Sequence, residues 1–119
     1  MRKLSSSNFQ NEKFLEHECP FMTTLRFMGK RWKPAVIWKI NEGETRFKLL
    51  KKVLPGVSDK MLSETISELE ADGIIQKNIF EEVPLRVEYK LTAFGKELLP
   101  VLKAMDVWGT KTLEKIQKA

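Results

Sequence analysis

"SDKMLSETISELEADG", Ser58 to Gly73, carries the start and stop signals of a single amphipathic helix. Leu62, Ile66 and Leu69 follow the i, i+4, i+7 spacing that forms one apolar stripe, with Met61 and Thr65 along its edge. Ser58 can accept a hydrogen bond from a free amide of the first turn, Asp59 suits the positive end of the helix dipole, and Gly73 supplies the left-handed residue past the end. The opposite face presents Lys60, Ser63, Glu64 and Ser67, all hydrogen-bonding groups and all in the first half of the helix. Solvation would account for such a face if the helix stood alone. The chain on either side decides.

On the N-terminal side, Pro20 fits the first turn of a helix running to Gly29, with Leu25 and Met28 or Phe21 inward. Pro34 opens a second, "PAVIWKINEG", with Val36, Ile37 and Ile40 inward and Gly43 at its end. A brief extended "ETRF" precedes a short helix, "FKLLKKVLPG", closed by Pro55 and Gly56. Two short helices joined by a few residues containing glycine form a helix-turn-helix pattern. Beyond Gly73 the period changes to that of strands. "IIQKNIF" and "RVEYKL" are joined by "EEVPL", and Val87, Tyr89 and Leu91 alternate with Arg86, Glu88 and Lys90. Thr92 caps a final helical region, which Pro100 should kink or split after about Leu99. The order predicts a mainly α fold with a small β-hairpin wing, a winged helix-turn-helix. Its domain spans residues 19–119 and follows a mobile arm over residues 1–18. In that architecture the second helix of the pair enters the major groove, so Lys60, Ser63, Glu64 and Ser67 become candidate base readers.

Composition agrees. The 119 residues, 42% of them hydrophobic, suffice for one core and not for two. Lys and Arg number 21 against 16 Asp and Glu, a formal charge of +5 that favours an anionic partner, here double-stranded DNA. No apolar run approaches the roughly 18 to 20 residues of a membrane span, and the N-terminus lacks the apolar core of a signal peptide, so a cytoplasmic protein with no membrane partner is expected. Cys19 is the only cysteine and His17 the only histidine, which leaves no metal cluster and calls for no cofactor.

From Cys19 to about Gly109 the chain closely resembles the HxlR-type branch of bacterial winged-helix regulators. "CPF", "GKRWKPAVIW", "GETRFKLLKKVLPGVSDKMLSETISELEADGII", "EEVPLRVEYKLTAFGKELLPVL" and "WG" carry the resemblance through their order and spacing. It implies a homodimer joined through N- and C-terminal helices, presenting two recognition helices to a pseudo-palindromic operator and repressing or activating nearby genes. Some members sense electrophiles or oxidants through a cysteine at the position of Cys19. Two departures stand out. Leu85 replaces a frequent second proline, and Glu81 and Glu82 would repel phosphates if the wing tip lay close to DNA.

Each site has a plainer alternative. Arg86, at the position of the family's wing arginine, is expected at the minor groove or DNA backbone, the alternative being a surface ion pair with Glu81, Glu82 or Glu88. Lys30, Arg31, Lys33, Arg46, Lys48, Lys51 and Lys52 cluster around the reading helix. Arg46 and Lys48 among them are expected at phosphates, together with Ser58 and Lys77. Trp32 and Trp38 fall at core spacing. Leu102, Met105, Trp108, Leu113 and Ile116 are candidate dimer-interface residues because the final stripe is too long for so small a domain to cover, and the resemblance implies that Phe21 and Leu25 of the N-terminal helix join them. Cys19, directly before Pro20, occupies an N-cap where the dipole would favour a reactive thiolate. A structural, half-buried thiol is the alternative. An enzyme built on His17 and Cys19 lacks an orienting group or oxyanion hole. A winged helix used only for protein contacts has no use for several cations at phosphate height.

Overall fold

A computed structural model of the protein describes residues 7–118. Helices α1 (Ser7–Lys13), α2 (Pro20–Met28), α3 (Lys33–Asn41), α4 (Phe47–Val53) and α5 (Asp59–Ala71) precede the strands β1 (Ile75–Phe80) and β2 (Arg86–Leu91), and α6 (Ala93–Lys96) and α7 (Leu99–Lys118) follow. Residues 1–6 of the expected arm lie outside the described residues. Over its remainder, α1 and a π-helical turn at Phe14–Glu18 give the chain helical form without burying any residue.

The core forms where α3 and α5 meet the root of the hairpin. Val36, Ile37, Leu50, Leu62, Leu69, Ile74 and Ile75 are almost wholly buried. Each such side chain contributes on the order of 2 kcal/mol through the apolar surface it removes from water. The three apolar residues predicted on α5 are buried, as are Val36, Ile37 and Ile40 of α3, and Trp32 and Trp38 pack against this core. Thr65, also buried, returns its hydroxyl to the carbonyl of Met61, 2.7 Å away. On α2 only Met28 is buried, while Phe21 and Leu25 point outward.

The strands pair antiparallel, from Ile75 opposite Leu91 at the buried root to Phe80 opposite Arg86 near the tip. The expected extended "ETRF" forms no strand. One backbone bond from the amide of Tyr89 to the carbonyl of Thr45 (2.8 Å) holds this segment against β2. Pro100 does split the C-terminal helix, but earlier than expected. The break falls at Glu97 and Leu98, and Pro100 occupies the first turn of α7, where its missing amide leaves no hydrogen bond unmade. Thr92 caps α6 as predicted, accepting from the amide of Gly95 at 2.9 Å.

Two glycines fix how α5 hands the chain to the wing. Gly73, at φ 75°, closes α5 with a pair of reversed bonds, its amide to the carbonyl of Glu70 (3.0 Å) and the amide of Ile74 to the carbonyl of Leu69 (2.9 Å). Gly95 lies so close to Ile74 that a Cβ would collide with the Ile74 carbonyl, so only glycine lets α6 approach the base of β1. At Gly73 a Cβ would meet nothing within 4 Å. Gly73→Ala should therefore destabilise by about 1 kcal/mol, the conformational cost alone, whereas Gly95→Ala should lose substantially more. Chemical denaturation of both variants would check the order, and equal losses would contradict it.

Candidate nucleic-acid interface

Helices α4 and α5, joined through Gly56 in a left-handed turn (φ 86°), form the helix-turn-helix. Ser58 caps α5 by accepting from the amide of Met61 (3.0 Å), and Lys51 of α4 reaches Asp59 of α5 at 2.7 Å. The buried stripe of α5 faces the core, which turns Lys60, Ser63, Glu64 and Ser67 outward together. All four are exposed, and none makes a side-chain hydrogen bond or ion pair among the described residues. Such a set of unengaged donors and acceptors on the second helix of the motif matches the groups on base edges.

The cations divide into two kinds, where the sequence suggested a single cluster. Arg46, the residue before α4, and Lys48 in its first turn are exposed and free of ion pairs among the described residues, as are Arg31, Lys52 and Lys77. Lys33, by contrast, is not a surface cation. Its side chain is 4% exposed, with Nζ 3.2 Å from Glu68 Oε2 and 3.8 Å from Asp72 Oδ2. Lys30 Nζ lies 2.7 Å from the other oxygen of Glu68. The bond and charge of Lys30, then those of Lys33, hold the Glu68 carboxyl below its ordinary value, and Glu68 in turn raises Lys30.

Arg86 is likewise engaged within the chain, in the ion pairing that stood as the alternative to a DNA contact. Its Nη2 is 3.1 Å from Glu82 Oε1, and its guanidinium stacks over the Phe80 ring at 4.1 Å. Nε lies 3.5 Å from Glu88 Oε2, too poorly aligned for a hydrogen bond, and is buried without one. Glu88 also accepts from Thr45 (3.0 Å), so the wing is fastened by side chains to the segment leading into α4. An open cleft of about 720 Å³ separates the two, lined on one side by Arg46 and Lys48 and on the other by Val83 and Leu85, which are exposed at the wing tip. Glu81 and Glu82 are exposed there too.

Cys19 is the N-cap residue of α2, but its sulfur accepts no hydrogen bond from the first-turn amides, and the residue is 7% exposed. Among the candidate interface residues, Leu102 is buried in the protomer's own core (3% exposed), because the start of α7 packs on α3. Phe21, Leu25, Met105, Trp108, Leu113 and Ile116 remain exposed, Trp108 at 71%.

Sequence reasoning missed the Lys33, Glu68 and Asp72 group and the anchoring of the wing through Thr45 and Glu88. The first carried a local signal: a lysine at the start of a helix, and acidic residues with no basic ones at the end of another, each oppose the helix dipole. The second joins residues 43 positions apart and had none.

The fold is that of a winged helix-turn-helix. The family described as HxlR-like helix-turn-helix matches residues 27–117, and the chain belongs to it. The HTH-type transcriptional regulator YdeP of Bacillus subtilis (strain 168) is 39% identical over 100 residues, covering 84% of this chain and 78% of the relative. The redox regulator HypR in its reduced form superposes with a TM-score of 0.78 at 33% identity, covering 85% of this chain and all of that one. The reduced form of the transcriptional regulator YodB from B. subtilis gives 0.67 at 36% identity, covering 76% and 89%. These relatives are transcriptional regulators and not enzymes, and this chain is a DNA-binding transcriptional regulator. No described helix is long and apolar enough to cross a membrane.

Proposed function

We propose that this chain acts in the cytoplasm as a homodimeric repressor of a pseudo-palindromic operator, with Lys60, Ser63, Glu64 and Ser67 reading bases. Arg46, Lys48, Ser58 and Lys77 contact the backbone, joined by Arg86 once DNA displaces Glu82. The observation that carries this reading is the unengaged polar stripe on the exposed face of α5. Glu64 accepts from a cytosine amino group, the base edge suited to a carboxylate. Ser63→Ala and Ser67→Ala should change relative affinity among operator variants. Arg46→Ala and Lys48→Ala should instead weaken binding to every sequence and flatten the salt slope by about one unit for each phosphate interaction removed. Mobility shifts across a salt series decide the matter, and uniform losses in both sets would refute base reading.

Dimerisation is supported by the exposed apolar residues of α2 and α7. The latter helix, 20 residues long, buries only Leu102. The radius of gyration, 17.8 Å, exceeds the value of about 13.5 Å for a compact domain of this length, as expected of a protomer whose terminal helices await a partner. Sedimentation at micromolar concentration should give twice the 13.8 kDa chain mass, and Trp108→Asp should shift it towards the monomer. A native protein found only as monomer would rule the arrangement out.

Cys19 is proposed as the redox sensor. The likeness to a redox regulator solved in oxidised and reduced forms supports this, as does the place of Cys19 at the head of α2. Two Cys19 thiols, one from each subunit, lose two electrons and two protons to an oxidant and form an intersubunit disulfide. Alternatively, one Cys19 thiol and a small thiol together lose two electrons and two protons to the same oxidant and form a mixed disulfide. Either product displaces α2 and spoils a half-site spacing of about 34 to 36 Å. Diamide should alter operator affinity of the native protein but not of Cys19→Ser. Unchanged affinity in protein whose Cys19 is modified, as judged by mass spectrometry, would leave the thiol a structural residue.

A further inference from the structure

We infer that Lys33 is a positioning residue for DNA recognition, a buried cation on α3 that fixes the roll of α5 by holding Glu68 and Asp72. The inference rests on α5 reading bases as proposed above.

Three observations lead to it. First, the charges stand where helix electrostatics disfavours them. Lys33 begins α3, at the positive end of that helix, and Glu68, Glu70 and Asp72 crowd the negative end of α5 with no basic residue among them. Each helix alone would be better served by the opposite sign, and the contact between them removes the conflict. Second, the lysine is desolvated, with a side chain 4% exposed, while its partners remain 39% and 30% exposed. Exposed ion pairs are worth little, and the neighbouring Lys51 to Asp59 pair, at 41% and 78% exposure, is of that kind. Lys33 has no comparable freedom to leave its partners for water.

Third, the contact is lateral. At about 100° per residue, Glu68 and Asp72 lie on the flank of α5, between the buried Leu62, Ile66 and Leu69 and the exposed Lys60, Ser63, Glu64 and Ser67. A single apolar stripe seats a helix against its core but resists rolling weakly, because apolar contact has no direction. A charged hydrogen-bonded group on the flank supplies direction. A roll of about 15° would carry a side-chain tip, at a radius of roughly 5.5 Å, through about 1.5 Å, enough to break a hydrogen bond whose length is fixed to a few tenths of an ångström. Lys30, on the second oxygen of Glu68, keeps that carboxylate ionised and aimed.

The test separates positioning from stability. Lys33→Met keeps the length of the side chain and strands no buried charge, since Glu68 and Asp72 retain water and Glu68 retains Lys30. Removing one partner of a buried pair is costly when it leaves the other charge buried and uncompensated, and here the carboxylates that remain are 39% and 30% exposed. The variant should therefore melt close to the native protein. The readout is the ratio of affinities for a duplex selected by the native protein from a random-sequence pool and for a random duplex of equal length. Lys33→Met should lower this ratio by about tenfold, the equivalent of one mismatched base pair, with an unchanged salt slope because Lys33 touches no phosphate. Glu68→Gln, at a partly exposed position, should lower it less and carries the test if Lys33→Met does not fold. A folded variant with the native ratio overturns the positioning role, as does a ratio that falls only together with the salt slope. Ser63→Ala on the same duplexes separates the two readings. A ratio lowered by Ser63→Ala but not by Lys33→Met leaves base reading standing and removes the clamp, whereas a ratio insensitive to Ser63→Ala removes both.

Discussion

Burial of Leu62, Ile66 and Leu69 on α5 is the constraint from which the rest of the structure follows. Because these residues share one stripe, their burial against α3 and the hairpin root turns the opposite stripe to solvent. The exposed polar stripe is thus a geometric consequence of the core. The same burial sets where the wing begins. Leu69 is the carbonyl acceptor for the amide of Ile74, and both side chains are fully buried, so the end of the helix and the start of the strand are sealed in one structure. Thr92 then binds the carbonyls of Gly73 and Ile74 through its hydroxyl at 2.5 and 3.2 Å, bringing the far end of the hairpin back to the same point.

What the sequence disclosed was what local physics controls. The caps at Ser58 and Thr92, the left-handed Gly73, the apolar stripes of α3 and α5 and the change of period into the hairpin all rest on residues within a turn or two of one another. The split at Pro100 was legible in kind but misplaced, because proline is disallowed inside a helix and favoured in its first turn, and only packing chooses between these. The polar stripe was legible as a surface, since it is the complement of the buried one. The behaviour of the cations was not. Lys30, Lys33 and Lys48 look alike in the sequence, and their different fates depend on which carboxylates the fold brings near. Leu102 was misread for a related reason: periodicity assigns it to the same stripe as Met105, but only the first turns of α7 rest on α3.

The division of cations bears on how a net charge of +5 is used. Charge held in Lys30, Lys33 and Arg86 is matched by carboxylates a few ångströms away and contributes little to the long-range field. The field that an approaching duplex meets comes from residues without such partners, among them Arg46, Lys48 and Lys52 at α4 and Lys77 on β1. Attraction is therefore concentrated beside the exposed polar stripe of α5, where, under the proposed reading, it draws phosphates to either side of the groove.

Acidic groups on that same face then have a purpose under the proposed reading. Phosphate affinity is indifferent to sequence, so a surface of cations alone would bind all DNA and be titrated by the excess of wrong sites. Glu64 within the reading stripe opposes phosphates and most base edges while accepting from one, so it penalises wrong sequences more than the right one. Glu82 works on the wing in a comparable way. It holds Arg86 in an ion pair that DNA must break, and the guanidinium must also leave the Phe80 ring, so contact with the wing comes at a cost that only a well-seated complex can offset. Discrimination thus arises as much from charges set against binding as from the groups that favour it.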